Sequence, residues 1–98
     1  MIRKKQTQPL GEVIAEIIRG SALEKPLMER KVVSLWPQVM GETVSRLTGD
    51  MEVKNGVLYV HIRSAALRAQ LFECRHEVVK KLNEAAGSPV LADIRLLG

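Results

Sequence analysis

The sequence predicts an α+β domain with the element order α-α-β-β-α-β, a three-stranded sheet backed by helices. Three observations carry this. Apolar residues repeat at helical spacing early in the chain, at Leu10, Val13, Ile14, Ile17 and Ile18 and again at Met28, Val32, Leu35 and Trp36. An Asn55-Gly56 pair sits between two alternating segments and reads as a β-hairpin turn. A long apolar stripe over residues 65–86 then ends in Gly87-Ser88-Pro89 and is followed by a final alternating segment.

Residues 1–8 are polar and basic, with nothing to bury, and read as a short flexible arm; residues 9–98 read as one domain. In the first helix Glu12 and Glu16 lie opposite the isoleucines, and Gly20 is placed to stop it. Pro26 suits the first turn of a second helix whose apolar face is Met28, Val32, Leu35 and Trp36, with Val39 one turn on. Pro37 removes an N–H and disfavours helix at the residue before it, so a break or kink is expected at Trp36-Pro37, then a short turn ending near Gly41. Residues 42–47 fit one further helical turn before Thr48-Gly49-Asp50.

The hairpin pairs residues 51–54 with 57–63, because Asn-Gly supplies the two positive φ values of a type I′ turn. Leu58, Val60 and Ile62 share the face assigned to the core, and Val57, Tyr59, His61 and Arg63 share the other. Ser64 is an N-cap for a single long helix over residues 65–86. Its buried stripe is expected to be Leu67, Leu71, Cys74, Val78, Leu82 and Ala85, widened by Phe72 and Val79. The last strand covers residues 90–97, with Ala92, Ile94 and Leu96 inward against Asp93 and Arg95.

Composition narrows the function classes. Ninety-eight residues with 46% hydrophobic and 27% charged content suit a globular domain, and three aromatics leave an aliphatic core. No stretch reaches the roughly 20 apolar residues of a membrane helix. Met1-Ile2-Arg3-Lys4-Lys5 begins like a secretory n-region, but Glu12, Glu16 and Arg19 interrupt what would be its apolar stretch. With one unpaired cysteine as well, a cytoplasmic location is expected and a disulfide scaffold is excluded.

Catalytic and metal-ligating patterns are weak. Cys74, His61 and His76 are too few and wrongly spaced for a structural zinc site, and Cys74 on an apolar stripe reads as a core residue. No carboxylate pair, phosphate-cradling glycine loop or cofactor motif occurs, so neither an enzyme nor a cofactor is expected. The net charge of +4 comes largely from Arg3, Lys4 and Lys5, which form a positive arm suited to phosphates. Arg63, Arg68 and Arg75 gather around the start and one face of the long helix, whose N-terminus adds free N–H groups. These six residues are the candidate nucleic-acid contacts. The alternative is a solvated face on which Arg68 and Arg75 pair with Glu73 and Glu77. Trp36 reads as core, whereas Tyr59 and His61 are candidates for partner contact on the outer sheet face.

Several landmarks combine into a signature: Trp36-Pro37-Gln38-Val39-Met40-Gly41, Asn55-Gly56-Val57-Leu58-Tyr59-Val60, Ser64-Ala65-Ala66-Leu67-Arg68-Ala69-Gln70-Leu71 and Leu82-Asn83-Glu84-Ala85-Ala86-Gly87, closed by Ile94-Arg95. In this order, over residues 10–98, the chain resembles the DciA-like family of small bacterial proteins. The resemblance implies a K-homology (KH)-like fold, a cytoplasmic protein, DNA binding, and assistance in loading a DnaB-type replicative helicase without ATPase activity. The chain departs from KH domains in lacking a G-x-x-G loop, and from larger relatives in lacking a tail after its last strand. The expected function is therefore a non-enzymatic adaptor that binds DNA weakly and salt-dependently and engages the replicative helicase. The alternative is a protein-interaction or RNA-binding module, and the five aliphatics of the first helix would also serve weak homo-oligomerisation.

Overall fold

The computed structural model describes residues 24–98. The helix expected over residues 10–18, its stop at Gly20, and the arm carrying Arg3, Lys4 and Lys5 lie outside the described residues. Seven elements follow: α1 (Glu24–Met40), α2 (Glu42–Arg46), β1 (Thr48–Lys54), β2 (Val57–Ile62), α3 (Ala65–Glu73), α4 (Arg75–Ala86) and β3 (Asp93–Leu97). The sheet order is β1-β2-β3, with β1 antiparallel and β3 parallel to the central β2. The α+β class and the three-stranded sheet stand as expected, and this mixed topology is compatible with a KH-like arrangement.

Local chemistry explains most boundaries. Asn55 (φ 53°) and Gly56 (φ 78°) both occupy the left-handed region, as the two-residue turn requires. Ser64 is extended, and its hydroxyl accepts the Leu67 N–H at 3.2 Å, a cap worth about 1 kcal/mol. Gly87 (φ 79°) closes α4 by donating its N–H to the Asn83 and Glu84 carbonyls.

The core lies between the inner sheet face and the helices. Leu58, Val60 and Ile62 of β2 are fully buried, joined by Ile94, Val32, Trp36, Leu71, Val78, Leu82, Ala86 and Leu91. Trp36 is only 1% exposed. Its indole N–H donates to Thr48 Oγ1 at 3.0 Å, and that hydroxyl donates in turn to Val44 O at 2.8 Å. One buried ring thus ties α1 to α2 and to the start of β1. On the other side, Asn83 of α4 clamps the loop before β3. Its amide donates to Leu91 O and its carbonyl accepts Leu91 N–H, each at 2.9 Å.

Five expectations are corrected. First, α1 runs unbroken through Trp36-Pro37 to Met40. Pro37 is exposed and sits in the last turn, so it forfeits one backbone bond while Trp36 stays anchored, and Gly41 N–H still reaches Pro37 O at 2.8 Å. Second, the long helix is two helices. Cys74 (φ −107°, ψ 24°) leaves helical geometry while its N–H reaches Gln70 O and its carbonyl accepts Val78 N–H. The physical cause is packing: α3 covers β2 and β3, whereas α4 packs mainly on α1, and one straight axis does not serve both.

Third, the apolar stripe is narrower than expected. Cys74 and Phe72 are exposed rather than buried, and Ala86 takes the inward place expected of Ala85. Fourth, β1 starts at Thr48, three residues earlier than the hairpin pattern shows, through an irregularity between Thr48 and Met51 that the alternation does not record. Fifth, β3 starts at Asp93 rather than residue 90. Ala92 is exposed because its N–H is drawn to Gly56 O at 2.7 Å, outside the strand pairing.

Two substitutions test this framework by chemical denaturation. Thr48→Val leaves the buried indole N–H without its partner, while Val44 O keeps the Leu47 N–H, and is expected to cost about 1–3 kcal/mol. Asn83→Ala strips both bonds from Leu91 and should cost about 2 kcal/mol.

Candidate nucleic-acid interface

The arginines singled out by sequence reach the surface around the C-terminal end of β2 and the α3–α4 side of the sheet. Arg63 follows β2, and its Nη2 donates to the carbonyl of Arg46, which brings a second cation to the same end of the sheet. Arg68, half-buried on α3, donates from Nη1 to Ile62 O at 2.5 Å, and its guanidinium lies against Gly98 just past β3. Arg75 opens α4, donates to Phe72 O at 2.8 Å and stacks over the Phe72 ring at 4.1 Å from its centroid.

Arg68 and Arg75 therefore do not share one face of one helix; the turn at Cys74 separates them. Both nonetheless flank β3, one beside Gly98 and the other in the wall of a cleft along the strand. That cleft, about 420 Å³, runs along Asp93–Leu97 and is walled by Phe72, Arg75 and Tyr59.

Partner chemistry separates the two readings of these arginines. Each guanidinium is held by a neutral backbone carbonyl, which fixes its position but does not cancel its charge. Among the described residues, the salt bridges are Lys54–Glu52 (3.9 Å) and Arg95–Asp93 (3.7 Å), both exposed; neither Glu73 nor Glu77 pairs with Arg68 or Arg75. The face of ion pairs weighed from sequence does not form. Exposed pairs of this kind contribute little, so Arg95 on β3 also keeps much of its attraction for an anion.

Tyr59 and His61 stand on the outer sheet face, away from the core. Tyr59 is half-buried opposite Arg95 in the parallel register, and His61, exposed, places Nδ1 3.3 Å from Gly98 O. A second hollow of about 460 Å³ there is lined by Asp50, Glu52, Lys54, Tyr59, His61 and Leu97. Its acidic rim distinguishes it from the arginine-bearing cleft.

Sequence reasoning missed Phe72, Arg46 and Arg95. Phe72 is 56% exposed and carries the Arg75 stack; one residue past the buried Leu71, it falls about 100° from the inward face of α3. Arg46 and Arg95 carry no local signal, because only the fold brings them to the others.

Among the described residues no group of three or more His, Cys, Asp or Glu side chains is placed to hold a metal ion, and no helix is long and apolar enough to cross a membrane. With its side chain exposed, Cys74 is expected to react with a thiol reagent in the native protein as fast as after unfolding, and Cys74→Ser should change stability by less than about 0.5 kcal/mol.

Comparison with known proteins agrees with the landmarks quoted above. The family model described as "Dna[CI] antecedent, DciA" matches residues 9–96. A UPF0232 protein of Rhodococcus jostii (strain RHA1) is 26% identical over 94 residues, a span covering 96% of this chain and 50% of the relative. The chain thus spans about half the length of the curated relative it matches. With the family model covering nearly all of its length, the chain belongs to the DciA family.

Proposed function

We propose that this chain is a DNA-binding adaptor that acts without catalysis, in the cytoplasm, in loading the replicative helicase of a bacterium. The helicase role follows from family membership and from what the resemblance implies about a DnaB-type partner. DNA contact rests on one structural observation: Arg63, Arg68 and Arg75 are held by carbonyls rather than carboxylates, so positive charge remains uncompensated around the β3 cleft. In this reading Arg3, Lys4 and Lys5 add sequence-independent attraction to phosphates, and Phe72 with its stacked Arg75 offers a face for a base.

The outer sheet face suits a different ligand. Asp50 and Glu52 repel phosphates, which favours a protein partner, the helicase, at Tyr59 and His61. DNA and helicase would then occupy adjoining surfaces that meet at Tyr59.

Fluorescence anisotropy with a labelled oligonucleotide across a salt series tests the DNA half. Affinity should fall steeply with salt, and Arg75→Ala should weaken binding and reduce the slope of log K against log salt by about 1. No binding at low salt would overturn it. Capture of the organism's replicative helicase, with and without single-stranded DNA, tests the other half. His61→Ala should reduce capture while DNA affinity stays unchanged; equal capture by wild type and this variant would remove the sheet face from the reading.

A further inference from the structure

Among the described residues no element covers the outer face of the sheet: Asp50, Glu52, Lys54, His61, Arg95 and Leu97 are all exposed. The strand register puts their charges in order. Glu52 of β1, Tyr59 of β2 and Arg95 of β3 lie side by side in one row. Lys54, Val57 and Asp93 form the next row, with the two signs exchanged. A third row pairs His61 with Leu97, and Asp50 lies beside them. In each of the first two rows the edge strands carry opposite charges and an uncharged side chain stands between them. Within the chain these charges meet only in the exposed pairs along each edge strand, Lys54–Glu52 at 3.9 Å and Arg95–Asp93 at 3.7 Å. Such pairs are weak and leave the charges open to a partner.

We propose that this face binds a second copy of the same chain, sheet on sheet, about a two-fold axis running along β2. That axis lays β1 of one chain over β3 of the other. Glu52 then faces the second copy's Arg95, and Lys54 faces the second copy's Asp93. Both contacts occur twice, as a two-fold interface requires. Tyr59 and Val57 meet their own equivalents at the centre, away from the polar rim. Aligned sheets pack in this manner about 10 Å apart. Charge selects the occupant, because most arrangements of six side chains set like against like when a face meets its own copy, whereas both charged rows here set acid against base. A two-fold axis across the strands would also oppose unlike charges, Glu52 to Lys54. It would leave His61 and Leu97 overhanging the hairpin turn, whereas the axis along β2 covers all three rows. A face three strands wide is smaller than the roughly 800 Å² per partner of a standard interface, so the dimer is weak and forms at high protein concentration. A helicase docking at His61 would have to displace the second copy.

Sedimentation equilibrium of the full chain, from micromolar to millimolar concentration, tests this. The average mass should rise toward that of a dimer. Glu52→Arg sets the new guanidinium against the second copy's Arg95, and Arg95→Glu sets two carboxylates together. Each variant alone should weaken self-association at least about tenfold. An equimolar mixture of the two should associate again, because each clash becomes an attraction. With the axis across the strands, the new arginine would still meet Lys54 and mixing would restore nothing. The Trp36 indole N–H resonance reports whether each variant keeps the fold. Should either fail to fold, Lys54→Glu and Asp93→Lys repeat the exchange in the second row.

A chain that stays monomeric at millimolar concentration would overturn the proposal. Unchanged self-association in both variants would overturn it too, as would a mixture that associates no better than either variant alone. Neither DNA nor helicase enters the measurement, so its outcome is independent of whether the chain binds them.

Discussion

The hydrogen bond from the Trp36 indole to the Thr48 hydroxyl is the contact on which the architecture turns. Burying the largest side chain of the protein is favourable only if its one polar group keeps a partner. Thr48 supplies it and donates its own hydroxyl hydrogen bond to Val44 O, so three consecutive elements are tied at one point. That point sets where β1 begins, and the irregularity between Thr48 and Met51 joins it to the register set by the Asn55-Gly56 turn. It also accounts for the tolerance of Pro37 inside α1: with the ring before it locked, losing one bond in the last turn does not release the helix.

The second organising constraint is the change of axis at Cys74. The α3 helix must lie over the parallel β2–β3 pair and α4 must lie along α1, and a single turn reconciles them. The same turn leaves Cys74 outside the core and seats Arg75 on the exposed Phe72 ring. A packing requirement thereby produces the most distinctive surface feature of the molecule.

These two constraints also separate what was legible in the sequence from what was not. Asn55-Gly56, Ser64 and Gly87 announced their roles because each is a local solution to a backbone problem, readable from a few neighbours. The alternation of Leu58, Val60 and Ile62 identified the buried strand face for the same reason. The Cys74 turn carries no Gly or Pro and interrupts no periodicity, since Leu71 and Val78 are in phase with either one helix or two. Its cause lies in α1 and β3, far away in sequence. The candidate site divides likewise. Arg63, Arg68 and Arg75 could be named from charge and the helix start, but their carbonyl partners, the nearness of Arg46 and the exposure of Phe72 arise only from tertiary structure.

The parallel pairing of β3 with β2 has a bearing on how the chain acquires its structure. Gly56 O, at the tip of the hairpin, accepts from both Ala92 N and Asp93 N, so the turn between the first two strands is the seat on which the third begins. The hairpin and both intervening helices must be made before that seat can be occupied, and Leu58 and Val60 lose their flanking strand until it is. Such a long-range closure is slow compared with hairpin or helix formation. On the ribosome, residues 24–90 would emerge with the sheet unsealed, and native packing would wait for Leu91, Ile94 and Leu96. Stability is therefore acquired late and cooperatively, and a nick or truncation within the last strand would act on the whole domain rather than on one edge of it.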